Sequence, residues 1–168
     1  MKITVKDIMS KTPCNEWTEE RLRKHIGEGK TLLQICRMGS VDIAERIWCV
    51  TRFLDDKTNR AFAIWCARQC KADKKEITEY IDVIERYYDG KSTDEEVKAA
   101  DWVAYWAVGS EADSAAYWAA YWAVGWAADW AVGREADWAA YCAADSAADQ
   151  QSMRRKQIKK LTEMVSER

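Results

Sequence analysis

Thirteen four-residue units run in unbroken phase from Ala99 to Gln150, and this tract limits what the chain can fold into more than any other feature. Tryptophan closes seven of them: Trp102, Trp106, Trp118, Trp122, Trp126, Trp130 and Trp138. The second position is always Ala or Val, and the third is always Asp, Tyr or Gly. Ala is the strongest helix former, and the chain holds a single proline, Pro13. β-branched alternation is sparse, so the expected fold is all-α: a cluster of short helices followed by Ala/Trp-rich tetrad helices.

A period of four does not match the helix. Each residue turns about 100°, so every fourth one is displaced by roughly 40° and the tryptophans trace a slow spiral. On one continuous helix Trp102 and Trp138 would face the same way, with Trp118 and Trp122 pointing elsewhere. That helix would be about 78 Å long, whereas a compact domain of this size has a radius of gyration near ~15 Å. The tract therefore folds back on itself, or the protein is elongated and oligomeric. The preserved phase favours long helical segments, and Gly109-Ser110 is the favoured break because Ser110 with Asp113 can cap a new start.

Residues 1–90 read as four or five short helices around a small core, and 92–168 as a helical region that packs on them or forms an oligomer interface. Ile3-Thr4-Val5 is the only strand-like stretch. Thr18 ahead of Glu19 and Glu20 marks a start, with a stop by Gly27 or Gly29. Thr31 to Met38 forms a short helix, Ser40 can cap the next, and Asp55 or Asp56 opens another. Asp73 with Glu76 and Ser92 with Glu95 fit capping boxes. Between them Ile77, Tyr80, Ile81, Ile84 and Tyr88 form an apolar stripe that ends at Asp89-Gly90.

Twenty-six Lys and Arg against 28 Asp and Glu leave little net charge, so nucleic acid is not an expected partner. The basic run Arg154, Arg155, Lys156, Lys159 and Lys160 reads as a solvated helix face complementing the helix C-terminus. Charges interrupt every apolar run short of a membrane span, and the N-terminus lacks the apolar stretch of a signal peptide. A cytoplasmic location follows, with the six cysteines as reduced thiols. Cys66 and Cys70 share a helix face, but the only histidine, His25, lies in another segment, so neither metal nor cofactor is expected. With no phosphate loop, no metal-protease motif and no nucleophile elbow, catalysis is not expected either. Cys142 has no histidine near it in sequence to activate it.

Each tryptophan needs cover, from the core, a second subunit or a ligand. Core or subunit packing is the expectation for most of them. The functional alternative is an exposed aromatic platform, for which Trp118, Tyr121, Trp122, Trp126, Asp129, Trp130 and Arg134 are the candidate binding residues. Rings could stack on a base while Arg134 meets a phosphate, so a small nucleotide ligand stands beside a partner protein as a possible occupant.

The segment Asn59-Arg60-Ala61-Phe62-Ala63-Ile64-Trp65-Cys66-Ala67-Arg68, then Glu85-Arg86-Tyr87-Tyr88-Asp89-Gly90-Lys91-Ser92-Thr93 leading into the array, resembles a bacterial and phage family of immunity proteins. The order of parts is similar from about Asn59 to the C-terminus. This chain departs in Ile64-Trp65 and in carrying Trp and Tyr where the family array has Arg. The resemblance implies a role in microbial conflict, neutralising a toxin or disarming a host defence, with Asn59, Arg60, Phe62, Arg86, Tyr87 and Asp89 as signature residues. Three functions are open: an inhibitor that occludes a partner protein, an oligomeric sponge for a nucleotide immune signal, and a structural oligomerisation module.

Overall fold

The structure, a computed structural model, describes residues 1–124 and 135–167. Ten helices account for its regular elements: α1 (Val5–Met9), α2 (Glu19–Ile26), α3 (Leu32–Cys36), α4 (Ile43–Thr51), α5 (Asp56–Gln69), α6 (Lys75–Tyr88), α7 (Asp94–Ala107), α8 (Glu111–Val124), α9 (Glu135–Asp145) and α10 (Gln150–Ser166). No strand occurs among the described residues. Ile3 instead makes one isolated antiparallel bridge with Lys30, and Val5 opens α1 after a capping box of Thr4 and Asp7. Six helices, rather than four or five, therefore precede Gly90.

Local chemistry accounts for most of the boundaries. The Thr18 side chain accepts from Arg21 N–H at the start of α2, and Thr31 and Asp55 do the same for α3 and α5. Gly27 closes α2 at φ 59° and Gly90 follows α6 at φ 71°, a region that costs other residues strain. Three expected caps differ. Asp42, not Ser40, caps α4, and Thr93 with Glu96, not Ser92 with Glu95, builds the box at α7. At α6 the N-cap is Lys74, whose side chain makes no cap bond.

The partner for that bare helix end comes from forty residues away. Asp113 Oδ1 accepts from Asp73 N–H at 2.9 Å and Lys74 N–H at 3.1 Å, and Oδ2 accepts from Gly109 N–H at 3.4 Å. Asp113 N–H in turn donates to Ser110 Oγ at 3.1 Å. One carboxylate, 1% exposed, thus fixes the α7–α8 turn onto the start of α6. The tetrad tract does break at Gly109-Ser110, and it continues as α8 and α9, which pack on each other. The described part of the tract lies in helices of 14, 14 and 11 residues.

α5 lies against α8 and α9, α6 packs on α7 and α8, and α10 crosses onto α3, α4 and α9. A single cluster of buried apolar side chains runs through all of these helices. Gln157 of α10 is buried and donates to the Ala140 carbonyl at 2.8 Å, tying α10 to α9. The basic residues of α10 lie away from its last turn, so they do not complement the helix C-terminus. Arg155, Lys156 and Lys159 are exposed, and Arg154 approaches Asp42 at 3.8 Å.

Candidate aromatic interface

Burial within the tetrads is the reverse of what residue hydrophobicity suggests. After the glutamates that open α8 and α9, alanines at the first two positions are inside: Ala115, Ala116, Ala119, Ala120 and Ala123 on α8, and Ala136, Ala139, Ala140, Ala143 and Ala144 on α9. α5 meets them with small residues of its own, Ala63, Cys66 and Ala67, all buried. Low relief on both sides lets the helices approach closely, and this leaves no room for a ring between them. The tryptophans are turned outward. Trp102, Trp106, Trp118 and Trp138 are between 41% and 68% exposed, and Trp122 is half-buried. The core of this chain is therefore not where the described repeat tryptophans lie.

The exposed rings are linked in sequence through ring contacts that pass by way of the buried Tyr117. Trp102 meets Trp106 edge-on at 5.7 Å between ring centres, and Trp106 meets Tyr105 at 5.4 Å. Tyr105 reaches across to Tyr117 of α8 at 5.9 Å. Tyr117 contacts Trp118 at 5.2 Å, Trp118 contacts Tyr121 at 5.5 Å, and Tyr121 contacts Trp122 at 5.9 Å. Trp122 then stacks on Trp138 of α9 at 6.0 Å with 21° between planes, and Trp138 meets Tyr141. Nine rings on three helices form one continuous ribbon. Most of the pairs are edge-to-face, the arrangement that ring quadrupoles favour. Trp122 and Trp138, which one continuous helix would hold about 24 Å apart along its axis, stack because α8 and α9 pack on each other.

Several polar groups beside the ribbon find partners within the chain. The buried Tyr117 hydroxyl donates to Asp101 Oδ1 at 3.0 Å, and burial, then the Asp101 charge, raises its phenol above the usual range. Tyr80 stacks behind it at 5.9 Å, raised for the same reasons. Asp137 pairs with the buried Arg52 at 3.5 Å. The carboxyl of Asp113 is pushed up by burial, but the hydrogen bonds from Lys74, Ser110, Asp73 and Gly109 outweigh this and hold it below the ordinary aspartate range.

The signature residues of the resemblance lie at the start of α5 and the end of α6. Asn59 is buried and donates to the Thr51 carbonyl at 2.9 Å, holding the α4–α5 corner, and Phe62 is fully buried. Arg60 places its guanidinium 4.8 Å from the Tyr88 ring centre, and Tyr88 donates through its hydroxyl to the Ala123 carbonyl at 2.7 Å. Arg86 is exposed and donates to Ser92 Oγ, and Asp89 pairs with Lys91. Tyr87 packs edge-on against Tyr88, its phenol raised by the Asp94 carboxylate. The structure thus brings Arg60 and Tyr88 together, while Asn59 and Phe62 sit in the interior.

Of the tract candidates, Trp118, Tyr121 and Trp122 are members of the ribbon. Trp126, Asp129, Trp130 and Arg134 lie outside the described residues, and with them the phosphate-facing half of the nucleotide cradle. Trp122 and Trp138 are in direct contact, whereas a base sandwiched between two rings needs about 7 Å between their centres. The apolar cavity lined by Ile8, Trp17, Leu22, His25 and Trp48 measures only about 40 Å³, whereas an open cleft of about 800 Å³ is lined by Lys57, Arg60, Ile64, Glu85 and Tyr88, so space for a small ligand lies beside Arg60 rather than in the enclosed cavity. Among the described residues no cluster of His, Cys, Asp and Glu could hold a metal ion. Burial pushes the thiols of Cys49 and Cys70 up to about 12 and raises Cys66 well above its ordinary value. Cys142 is raised by burial and by Asp145, the opposite of an activated nucleophile. No helix among the described residues is long and apolar enough to cross a membrane.

Sequence reasoning named Trp118, Tyr121 and Trp122 but not the ends of the ribbon, Trp102, Tyr105, Trp106, Trp138 and Tyr141. The signal for them was present in the tetrad phase, since they share its third and fourth positions. Comparison of the chain with protein-family models, curated proteins and solved structures finds no match.

Proposed function

We propose that this chain is a non-enzymatic binding protein that neutralises a partner protein by covering it with the aromatic ribbon. The observation that carries this reading is a run of nine contacting rings, six of them at least 41% exposed, on helices whose small residues face the core. Tryptophan and tyrosine are the residue types that dominate binding energy in protein interfaces, and a continuous set of them is costly to leave in water. The tetrads hold one cation, Arg134, against eight carboxylates. A strand of nucleic acid stacked on the rings would find little to neutralise its phosphates, and a protein surface needs no such cations. The resemblance to immunity proteins supports the same class of role.

Native mass spectrometry tests this on protein purified from a host with active defence systems, beside the Trp102→Ala/Trp106→Ala variant. The expected result is a retained protein whose affinity falls by roughly thirtyfold or more in the variant, with the melting curve little changed. Equal retention by the variant would remove the ribbon from the function. A bound species of a few hundred daltons in place of a protein would establish the nucleotide-sequestering alternative instead.

A further inference from the structure

We infer that, before any partner binds, the ribbon is covered by a second copy of this chain, the two meeting ribbon to ribbon about a two-fold axis. The inference uses the surface that the functional reading uses, but it does not depend on the identity or existence of the partner. Either can fail alone.

Area is the first argument. Trp102, Trp106, Trp118 and Trp138 with Tyr105 and Tyr141 are each at least 41% exposed. Together they leave roughly 600–800 Å² of aromatic surface bare, where the largest apolar patch of an ordinary monomer is about 300–600 Å². A stable interface buries about 800 Å² per partner, so the patch is large enough to form the centre of one.

Shape and charge argue that the cover is a copy. Ridges on α7 and α8 repeat every four residues, about 6 Å along each axis. A surface of the same period fits between such ridges, and interdigitation of i±4 rows is the commonest helix packing. The chain itself carries that surface. A two-fold contact also sets like against like, which acidic side chains opposite one another would oppose. The carboxylates next to the rings are already engaged: Asp101 accepts from Tyr117, Asp137 pairs with Arg52, and Asp113 is buried under backbone donors. Exposed charge is found one turn beyond the two ends of the ribbon, at Lys98 before Trp102 and Asp145 after Tyr141.

Sedimentation equilibrium over ~1–100 µM provides the test, a range that spans micromolar self-association. The wild-type chain is expected to sediment at twice its 19.4 kDa mass and the Trp102→Glu/Trp106→Glu variant at that mass, with unchanged far-UV circular dichroism. Should the glutamates disturb folding, Trp102→Ala/Trp106→Ala replaces them, with a dissociation constant raised by roughly thirtyfold or more. A wild-type monomer throughout the range, or an assembly that persists unchanged in the folded variants, overturns the inference.

Discussion

Ala116→Leu is expected to cost about 3 kcal/mol of folding stability, near the upper end for overpacking a filled core. Trp106→Ala, which deletes a far larger side chain, is expected to cost about 1 kcal/mol or less. Ala116 is fully buried on the small face of α8, where α5 and α9 both press against that helix, so three added carbons have no space to enter. Trp106 is 68% exposed, and its ring contacts are with Trp102 and Tyr105 on the same helix. Urea unfolding followed by far-UV circular dichroism distinguishes the two. Were Trp106→Ala the more damaging change, the tryptophans would be structural after all.

The second large effect is expected at Asp113. Asp113→Ala removes the acceptor for three backbone donors, two of them at the otherwise uncapped start of α6. Charge-assisted bonds of this kind contribute about 1.5–3 kcal/mol each and do not sum, so a loss of about 3 kcal/mol is expected. The pH dependence has a definite sign. Because the folded carboxyl is held below the ordinary 3.8, its stabilisation is present above that value and disappears as the pH falls through the lower folded one. Wild type should therefore lose stability from about pH 4 downward, and Asp113→Asn should lose less over the same range. Parallel acid profiles for the two would mean that the carboxylate charge contributes nothing there.

How much of this was legible follows from the reach of each interaction. Helix ends set by a neighbour's side chain or by glycine geometry were readable, as at Thr18, Thr31, Asp55, Gly27 and Gly90. The box at α7 was read one residue early because Ser92–Glu95 and Thr93–Glu96 have identical spacing. The start of α6 was not readable, since its cap arrives from Asp113 across another helix. The all-α class and the break at Gly109-Ser110 followed from composition and capping. The direction of the tryptophans did not. A period of four gives the alanine and the tryptophan faces equal regularity, and hydrophobicity alone would place the rings inside. The deciding factor is the fit of α5 onto two columns of alanine, a long-range steric fact. The positions of Arg60 and Tyr88 likewise depend on how α5 and α6 meet.

The contact between successive rings also has an optical consequence. Indoles and phenols held 5–6 Å apart exchange excitation faster than they emit, so the ribbon absorbs and radiates as a coupled set rather than as separate chromophores. The stacked Trp122–Trp138 pair is expected to give a paired positive and negative band in circular dichroism, and emission from the ribbon should be strongly depolarised. Any molecule that settles on one end of the ribbon would then perturb the light from all of it, so the protein carries its own reporter of occupancy.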